Sequence, residues 1–326
     1  MTARPAGDRR ESPSVESPSV ESPSAASAAY SADAETRRQS SARYDDVAQR
    51  AAAVVIGRYS TSFGTASRLL PPRLRRHVSN IYALVRVADE AVDGVGAEHG
   101  LDDAAVLAAL DELQAQTEEA LRTGYSANVV VHAFALTARR TGIGPELTRP
   151  FFTSMRTDAQ RSEHDARSFD AYVHGSAEVV GQMCLRAFFD GATVDPAELA
   201  TLDDGARRLG AAFQKVNFLR DVGADVQTLG RRYFPGVDPT MLSESEKRRL
   251  VDDIDADLAA ARAVIGRLPA GSRAAVLAAH DLFAELNARL RRTPAADLLT
   301  TRVSVPTGRK ALIVAGAVAA ARRGPA

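Results

Sequence analysis

The stretch that most constrains this chain is Phe213-Gln214-Lys215-Val216-Asn217-Phe218-Leu219-Arg220-Asp221-Val222-Gly223-Ala224-Asp225. On a helix, Gln214, Asn217, Asp221 and Asp225 fall at steps of three, four and four residues and form one stripe. The other faces carry Phe213, Val216, Phe218, Leu219 and Val222. A surface helix pairs one apolar stripe with a broad polar face, and this one inverts that pattern. It is therefore expected to be buried, with its stripe turned to a partner side chain, water, a metal or a ligand.

A second stretch repeats the pattern. Tyr82, Arg86, Asp89 and Asp93 are spaced by four, three and four residues among Ile81, Leu84, Val85, Val87, Ala88, Ala91 and Val92. An Arg-Asp pair on a helix is ordinarily a salt bridge, and aspartates one turn apart are common on solvated faces. Two such pairs on two otherwise apolar helices read differently, because adjacent like charges are unfavourable unless something positive compensates them. The arrangement suggests two carboxylate pairs facing a shared cavity. Magnesium takes oxygen ligands and is commonly held by one or two carboxylates plus substrate phosphates. Asp89, Asp93, Asp221 and Asp225 would grip a diphosphate through such ions, and the metal would assist its departure. Arg86 and Arg220 would bind phosphate oxygens directly. The apolar remainder suits a long hydrocarbon chain and keeps water from a carbocation.

Other residues add to this site. In Tyr59-Ser60-Thr61-Ser62-Phe63, Ser60 and Ser62 offer hydroxyls to an anion and Phe63 a ring face to a cation, although such clusters more often cap helices. Tyr172 reads as a buried, hydrogen-bonded tyrosine or a cavity wall, and His174 as a partly exposed polar residue. Arg231-Arg232-Tyr233-Phe234-Pro235 would close a cavity mouth with positive charge, or else form a solvated loop. There is no dinucleotide fingerprint, phosphate-binding loop, Gly-x-Ser-x-Gly elbow or Cys/His metal cluster.

Zero net formal charge over 326 residues argues against nucleic acid as a partner. A single cysteine, Cys184, in the apolar run Val179 to Phe189, excludes an intrachain disulfide and reads as core in a reducing compartment. No apolar run reaches the roughly twenty residues that cross a bilayer, and no apolar region follows Arg9 and Arg10 as in a signal peptide. Ala311 to Ala321, with Arg309, Lys310, Arg322 and Arg323 at its ends, reads as a last core helix or as a helix that touches a membrane surface.

Residues 1–43 read as a disordered tail, because Glu11 to Ser24 repeats Glu-Ser-Pro-Ser-Val with Pro13, Pro18 and Pro23 forbidding a helix. From Tyr44 the composition changes, and helical periodicity recurs over Val47–Ile56, Arg73–Val92, Asp103–Leu121 and Val129–Arg140. It returns over Phe169–Phe189, Pro196–Asp225, Glu244–Leu268, Ser272–Leu290 and Thr307–Ala321. Gly and Pro mark the joins. No polar linker divides residues 44–326, so they are expected to form one large all-α domain with a central cavity.

These residues resemble the squalene/phytoene synthase family, which joins isoprenoid diphosphates head to head, over nearly everything from Tyr44 to Ala321. Tyr59 to Phe63 resembles its substrate-flap segment, Tyr82 to Asp93 its first aspartate-rich motif, and Gln214 to Asp225 the second. Arg232-Tyr233-Phe234-Pro235 resembles the segment that follows. Glu90 stands where many members have aspartate, and Glu178 where a small residue is frequent. The wording around Gly175-Ser176-Ala177-Glu178 is closer to the family's bacterial carotenoid-pathway members.

The resemblance implies an isoprenoid-synthase fold and condensation of two geranylgeranyl diphosphates to phytoene. Magnesium, with manganese as its substitute, would sit on Asp89, Asp93, Asn217, Asp221 and Asp225. Ser60, Ser62, Arg86, Gln214, Asn217 and Arg220 would position the diphosphate and metal, and Phe63, Tyr82, Tyr172 and Tyr233 would line the hydrocarbon cavity or steady cations. No NADPH is needed for phytoene. The alternatives are a squalene or dehydrosqualene synthase acting on farnesyl diphosphate, and a non-catalytic helical scaffold of the same fold. The expected location is the cytoplasm, with contact at the inner membrane face because the product is a lipid.

Overall fold

A computed structural model describes residues 25–60, 62–92, 95–224 and 231–323. Thirteen α-helices run in order among these residues. They are α1 (Ala25–Tyr59), α2 (Ser62–Ser67), α3 (Pro72–Val92), α4 (Val95–Glu98), α5 (Asp103–Thr123), α6 (Val129–Thr141), α7 (Pro145–Gln160), α8 (Ala166–Val173), α9 (Val179–Phe189), α10 (Pro196–Ala224), α11 (Glu244–Ile265), α12 (Ala270–Arg292) and α13 (Thr307–Arg322). No strand occurs among the described residues. The one ladder contact is an isolated bridge between Glu163 and Arg232. The all-α reading therefore holds.

The chain divides into two units, Met1–Tyr44 and Asp45–Ala326. Of the residues read from sequence as a tail through residue 43, those from Ala25 onward form the first part of α1. The proline repeat ends at Pro23, the next proline is Pro71, and the intervening run is rich in alanine, the strongest helix former. Residues 35–43 are nevertheless exposed along this helix. Residues 1–24 lie outside the described residues.

Two further differences have local causes. The sequence reading leaves out α7, whose Pro145 and Pro150 disguise the periodicity. Pro145 takes the first helical position, where no N–H is needed, and Pro150 sits inside the helix. The expected single helix Phe169–Phe189 is interrupted by a π-helical turn, His174–Glu178. There Gly175 lies so close to α7 that a Cβ would strike the Pro150 carbonyl and the Ser154 hydroxyl. The π turn inserts a residue and turns the α9 face relative to α8.

The unit from Asp45 onward packs around several apolar clusters. One joins α8, α10, α11 and α12 through Tyr172, Phe218, Ile254 and Leu286. A second joins α3, α5, α6, α7 and α9 through Leu84, Leu110, Phe134, Phe152 and Met183. Between these clusters the helices part around a cavity of about 830 Å³.

Candidate active site

Four helices each turn one face to this cavity at three- and four-residue steps. On α10 the lining residues run Leu202, Gly205, Ala206, Leu209, Gly210, Phe213, Gln214, Asn217 and Asp221. On α3 they are Val78, Ile81, Tyr82, Val85, Arg86 and Asp89. The α9 face shows Val180, Gly181, Cys184, Leu185 and Phe188, and the α12 face Ala275, Val276, Ala279, Leu282, Phe283 and Leu286. On α3 and α10 the polar residues gather at the C-terminal ends and the apolar ones toward the N-terminal ends. The cavity thus has a charged mouth and an apolar interior.

The mouth brings together most of the residues named from sequence. Asp89 and Asp221 line the same space, with Ser60, Tyr82, Arg86, Gln214, Asn217, Arg220, Tyr172 and Tyr233. Asp93 and Asp225 lie outside the described residues. Ser62 and Phe63 belong to the α2 backbone, and their side chains also fall outside.

Each carboxylate is countered by arginine. Arg86 forks between Asp89 and Glu90 on its own helix, and its guanidinium lies 4.7 Å from the centre of the Tyr59 ring. Ser60 hydrogen-bonds Tyr82, whose phenol is raised above its ordinary pKa by burial. Asp221 accepts from Arg220 Nε at 2.9 Å and from Arg302 Nε at 2.8 Å. Burial alone would push the Asp221 carboxyl up, but the two arginines outweigh it and hold it below its ordinary value. Arg302 and Lys310 also line the cavity. The sequence reading assigns no role to Arg302, which stands in a non-helical segment where no periodicity marks it.

Behind the mouth lies an aromatic wall. Tyr233 stacks on Phe218 at 3.9 Å and on Tyr172 at 5.6 Å. The buried Tyr172 hydroxyl donates to Asp158 Oδ2 at 2.7 Å, and burial, together with the Asp158 charge, raises this phenol well above its ordinary pKa. With its proton committed to Asp158, the phenol oxygen is left as an acceptor. Asp158 is a second residue absent from the sequence reading. It sits on α7 at the end of the buried series Leu147, Phe151 and Met155, so it is a carboxylate on an apolar face like those of the two stripes. The disguised helix hid it.

The segment after α10 differs from a solvated basic loop. Arg231 is buried and donates to the carbonyls of Val92 at 2.8 Å and Asp158 at 3.3 Å. It thereby ties the Tyr233 segment to the ends of α3 and α7. Arg232 is more exposed and faces Glu163. Glu178 turns to His174 at 2.9 Å and Arg207 at 2.8 Å and is not among the cavity-lining residues.

The donors at the mouth suit a hard cation. They are carboxylate, amide and hydroxyl oxygens, and no described histidine lines the cavity. The one lining thiol, Cys184, is pushed up to about 12 by burial and is not a thiolate ligand near neutral pH. No described group of three or more His, Cys, Asp or Glu residues forms a metal cage. Magnesium does not require one, because it usually shares its shell with water and substrate phosphates. No helix among the described residues is long and apolar enough to cross a membrane.

Comparison with known proteins gives consistent results. The family described as Squalene/phytoene synthase matches residues 56–309. The chain is 32% identical to the phytoene synthase of Rhodobacter capsulatus over 281 residues, covering 80% of this chain and 78% of that protein. It is 30% identical to the 15-cis-phytoene synthase of a Paracoccus species, covering 72% and 79%. The match to the chloroplastic phytoene synthase 1 of Arabidopsis thaliana is 32% identical and spans 56% of this chain but 41% of the plant protein. Among solved structures, a dehydrosqualene synthase aligns with a TM-score of 0.71 at 22% identity, covering 86% of this chain and 99% of that one, and so shares the fold. With the profile matching most of its length and the two aspartate-bearing helices meeting at one cavity, the chain belongs to the squalene/phytoene synthase family.

Proposed function

We propose that this chain is a phytoene synthase, a prenyltransferase that condenses two geranylgeranyl diphosphates head to head through prephytoene diphosphate. The observation that carries this reading is the polarity of the cavity, with Asp89 and Asp221 at one end and apolar walls along the rest. Length supports the longer substrate. From Asp221 to Leu202 along α10, nineteen residues at the helical rise span about 28 Å. Scaled from about 3.5 Å per three backbone bonds, an extended geranylgeranyl chain of fifteen bonds reaches roughly 17 Å and a farnesyl chain of eleven roughly 13 Å. The longer chain and its diphosphate fill this span better. The phytoene synthases of Rhodobacter and Paracoccus at about one-third identity favour the same product.

Asp89, Asp93, Asn217, Asp221 and Asp225 would hold magnesium, or manganese, whose chemistry there is to neutralise charge on a departing diphosphate. Ser60, Ser62, Arg86, Gln214, Arg220, Arg302 and Lys310 would orient the phosphate oxygens. The rings of Phe63, Tyr82, Tyr172 and Tyr233 present negative faces to cationic carbon. The Tyr172 oxygen, its proton held by Asp158, adds a lone pair to that wall. The apolar helices exclude water, so that the cation rearranges instead of forming an alcohol. The product is a hydrocarbon, and the exposed Leu312 on α13, between Lys310 and Arg322, is the surface this reading would set against a cytoplasmic membrane face.

The test incubates the protein with magnesium and geranylgeranyl or farnesyl diphosphate, with and without NADPH, and identifies the extracted hydrocarbon. Phytoene without NADPH is expected. Squalene or dehydrosqualene would move the enzyme to the shorter substrate. No hydrocarbon from a folded protein, with no rise in melting temperature on adding magnesium and a diphosphate analogue, would leave a scaffold.

A further inference from the structure

We infer that α9 is the chain-length gauge of this cavity, with Phe188 as its stop and Cys184, one turn nearer the mouth, as the position that sets the next shorter limit. The inference rests on the reading of the cavity as a prenyl-diphosphate site and adds which side chains decide the length accepted.

The register of α9 against α10 fixes depth. A Cβ on Gly210 would strike the Ala177 carbonyl, and one on Gly181 would strike the Ala206 carbonyl. These contacts place the helices antiparallel, so moving along α9 from Ala177 toward Phe188 is moving along α10 from Gly210 toward Leu202, away from Asp221. Along this path the π turn offers the cavity Ala177, and α9 offers Val180, Gly181, Cys184 and Leu185 before Phe188. At the three- and four-residue steps of the path, Ala177, Gly181 and Cys184 are small or thin and Phe188 is the first ring. Phe188 is the last α9 residue to line the cavity, as Leu202 is the last on α10 going away from Asp221. Phe188 packs both against the cluster that holds Ile56, Leu70, Leu74, Val78 and Ala275 and against the cluster that holds Leu185, Leu202 and Ile265.

Helix geometry matches the substrate's repeat. One α-helical turn advances about 5.4 Å. One isoprene unit adds four chain bonds, roughly 4.7 Å on the scale of about 3.5 Å per three bonds. Residues four apart on α9 therefore differ in depth by about one isoprene unit. A ring at Cys184 would close the tail pocket one unit earlier, and removing the ring at Phe188 would open it by about one unit. Cys184 suits the substitution because it carries no polar partner and its thiol is protonated.

The wild type, Cys184→Phe and Phe188→Ala are each given magnesium and an equimolar mixture of farnesyl, geranylgeranyl and geranylfarnesyl diphosphates, and the hydrocarbons are sorted by mass. Cys184→Phe is expected to shift the product ratio about tenfold or more toward the farnesyl-derived hydrocarbon. Phe188→Ala is expected to admit the geranylfarnesyl chain. Cys184→Leu, with a smaller shift in the same direction, replaces the phenylalanine variant if that one does not fold. In parallel, the chain-length optimum for the rise in melting temperature is read with unreactive thio-diphosphates of the same three chains. Unchanged length preference in folded Phe188→Ala and in the folded Cys184 variant, in products or in thermal shift, overturns the gauge. A wild type that makes no hydrocarbon, yet whose thermal-shift optimum moves by one unit in each variant, sinks the functional reading and keeps the gauge.

Discussion

The mouth and the tail of one cavity share the helices α3 and α10, and they are governed by different physics. At the mouth, side chains are set by charge. Asp89 is countered from within its own helix by Arg86, whereas Asp221 is countered both by its neighbour Arg220 and by Arg302 from a segment eighty-one residues away. At the tail they are set by volume, and Gly181, Cys184 and Phe188 differ in size with no polar partner. Charge acts on the energy of a departing anion and volume acts on which chain can enter. The two ends are therefore expected to control rate and selectivity separately.

The strongest attempt to break that separation is at the carboxylates. Asp89→Ala and Asp221→Ala each remove an oxygen donor whose metal would supply several kcal/mol of charge stabilisation. At about 1.4 kcal/mol per factor of ten, turnover should fall about a thousandfold or more in either variant. Helical circular dichroism should persist, because both side chains lie at the cavity and not in an apolar cluster. Any residual product should keep the wild-type chain length. Near-full turnover in either variant would refute the assignment of the mouth, and a changed chain length would refute the division of labour.

Arg302→Ala is a milder cut at the same end. It removes a charge-assisted hydrogen bond of 2.8 Å to Asp221 and a cation from the cavity wall. Because the Arg302 side chain is largely exposed, its ion pairing is screened and is expected to contribute up to about 1 kcal/mol, so a rise of about threefold to fivefold in KM for the diphosphate is expected, with product length constant. A KM within twofold of wild type would mean that Arg302 is only a surface partner of Asp221.

The two ends also differ in how far the sequence discloses them. The mouth is readable because a carboxylate on an apolar helix face needs an explanation, and Asp89 and Asp221 stand out on that ground alone. Asp158 obeys the same rule, yet Pro145 and Pro150 conceal the helix that would give its position meaning. Arg302 obeys no periodic rule, since its partner is reached across the fold. The tail leaves little mark, because Gly181, Cys184 and Phe188 in sequence are ordinary members of an apolar helix. Their depth follows only from the antiparallel contact of α9 with α10. The helical class was readable throughout, whereas the π turn at His174–Glu178 depends on the close approach of Gly175 to α7, which no local propensity encodes.

The smallest effect is a labelling rate at the tail. Burial pushes the Cys184 thiol up to about 12 from an ordinary 9.0, so the reactive thiolate is scarce at neutral pH and grows about tenfold per pH unit until that value is approached. Alkylation of the native protein by iodoacetamide should be slow at pH 8 and should rise about tenfold at pH 9. Occupying the two ends should then separate. Inorganic pyrophosphate with magnesium fills only the mouth and should leave the rate within about twofold, whereas a geranylgeranyl thio-diphosphate reaches the tail and should slow it several-fold, in keeping with thiol reactivity being governed by access. Equal protection by both ligands would mean that closing the mouth alone shuts the tail, and the two ends would then act as one gated site instead of two independent ones.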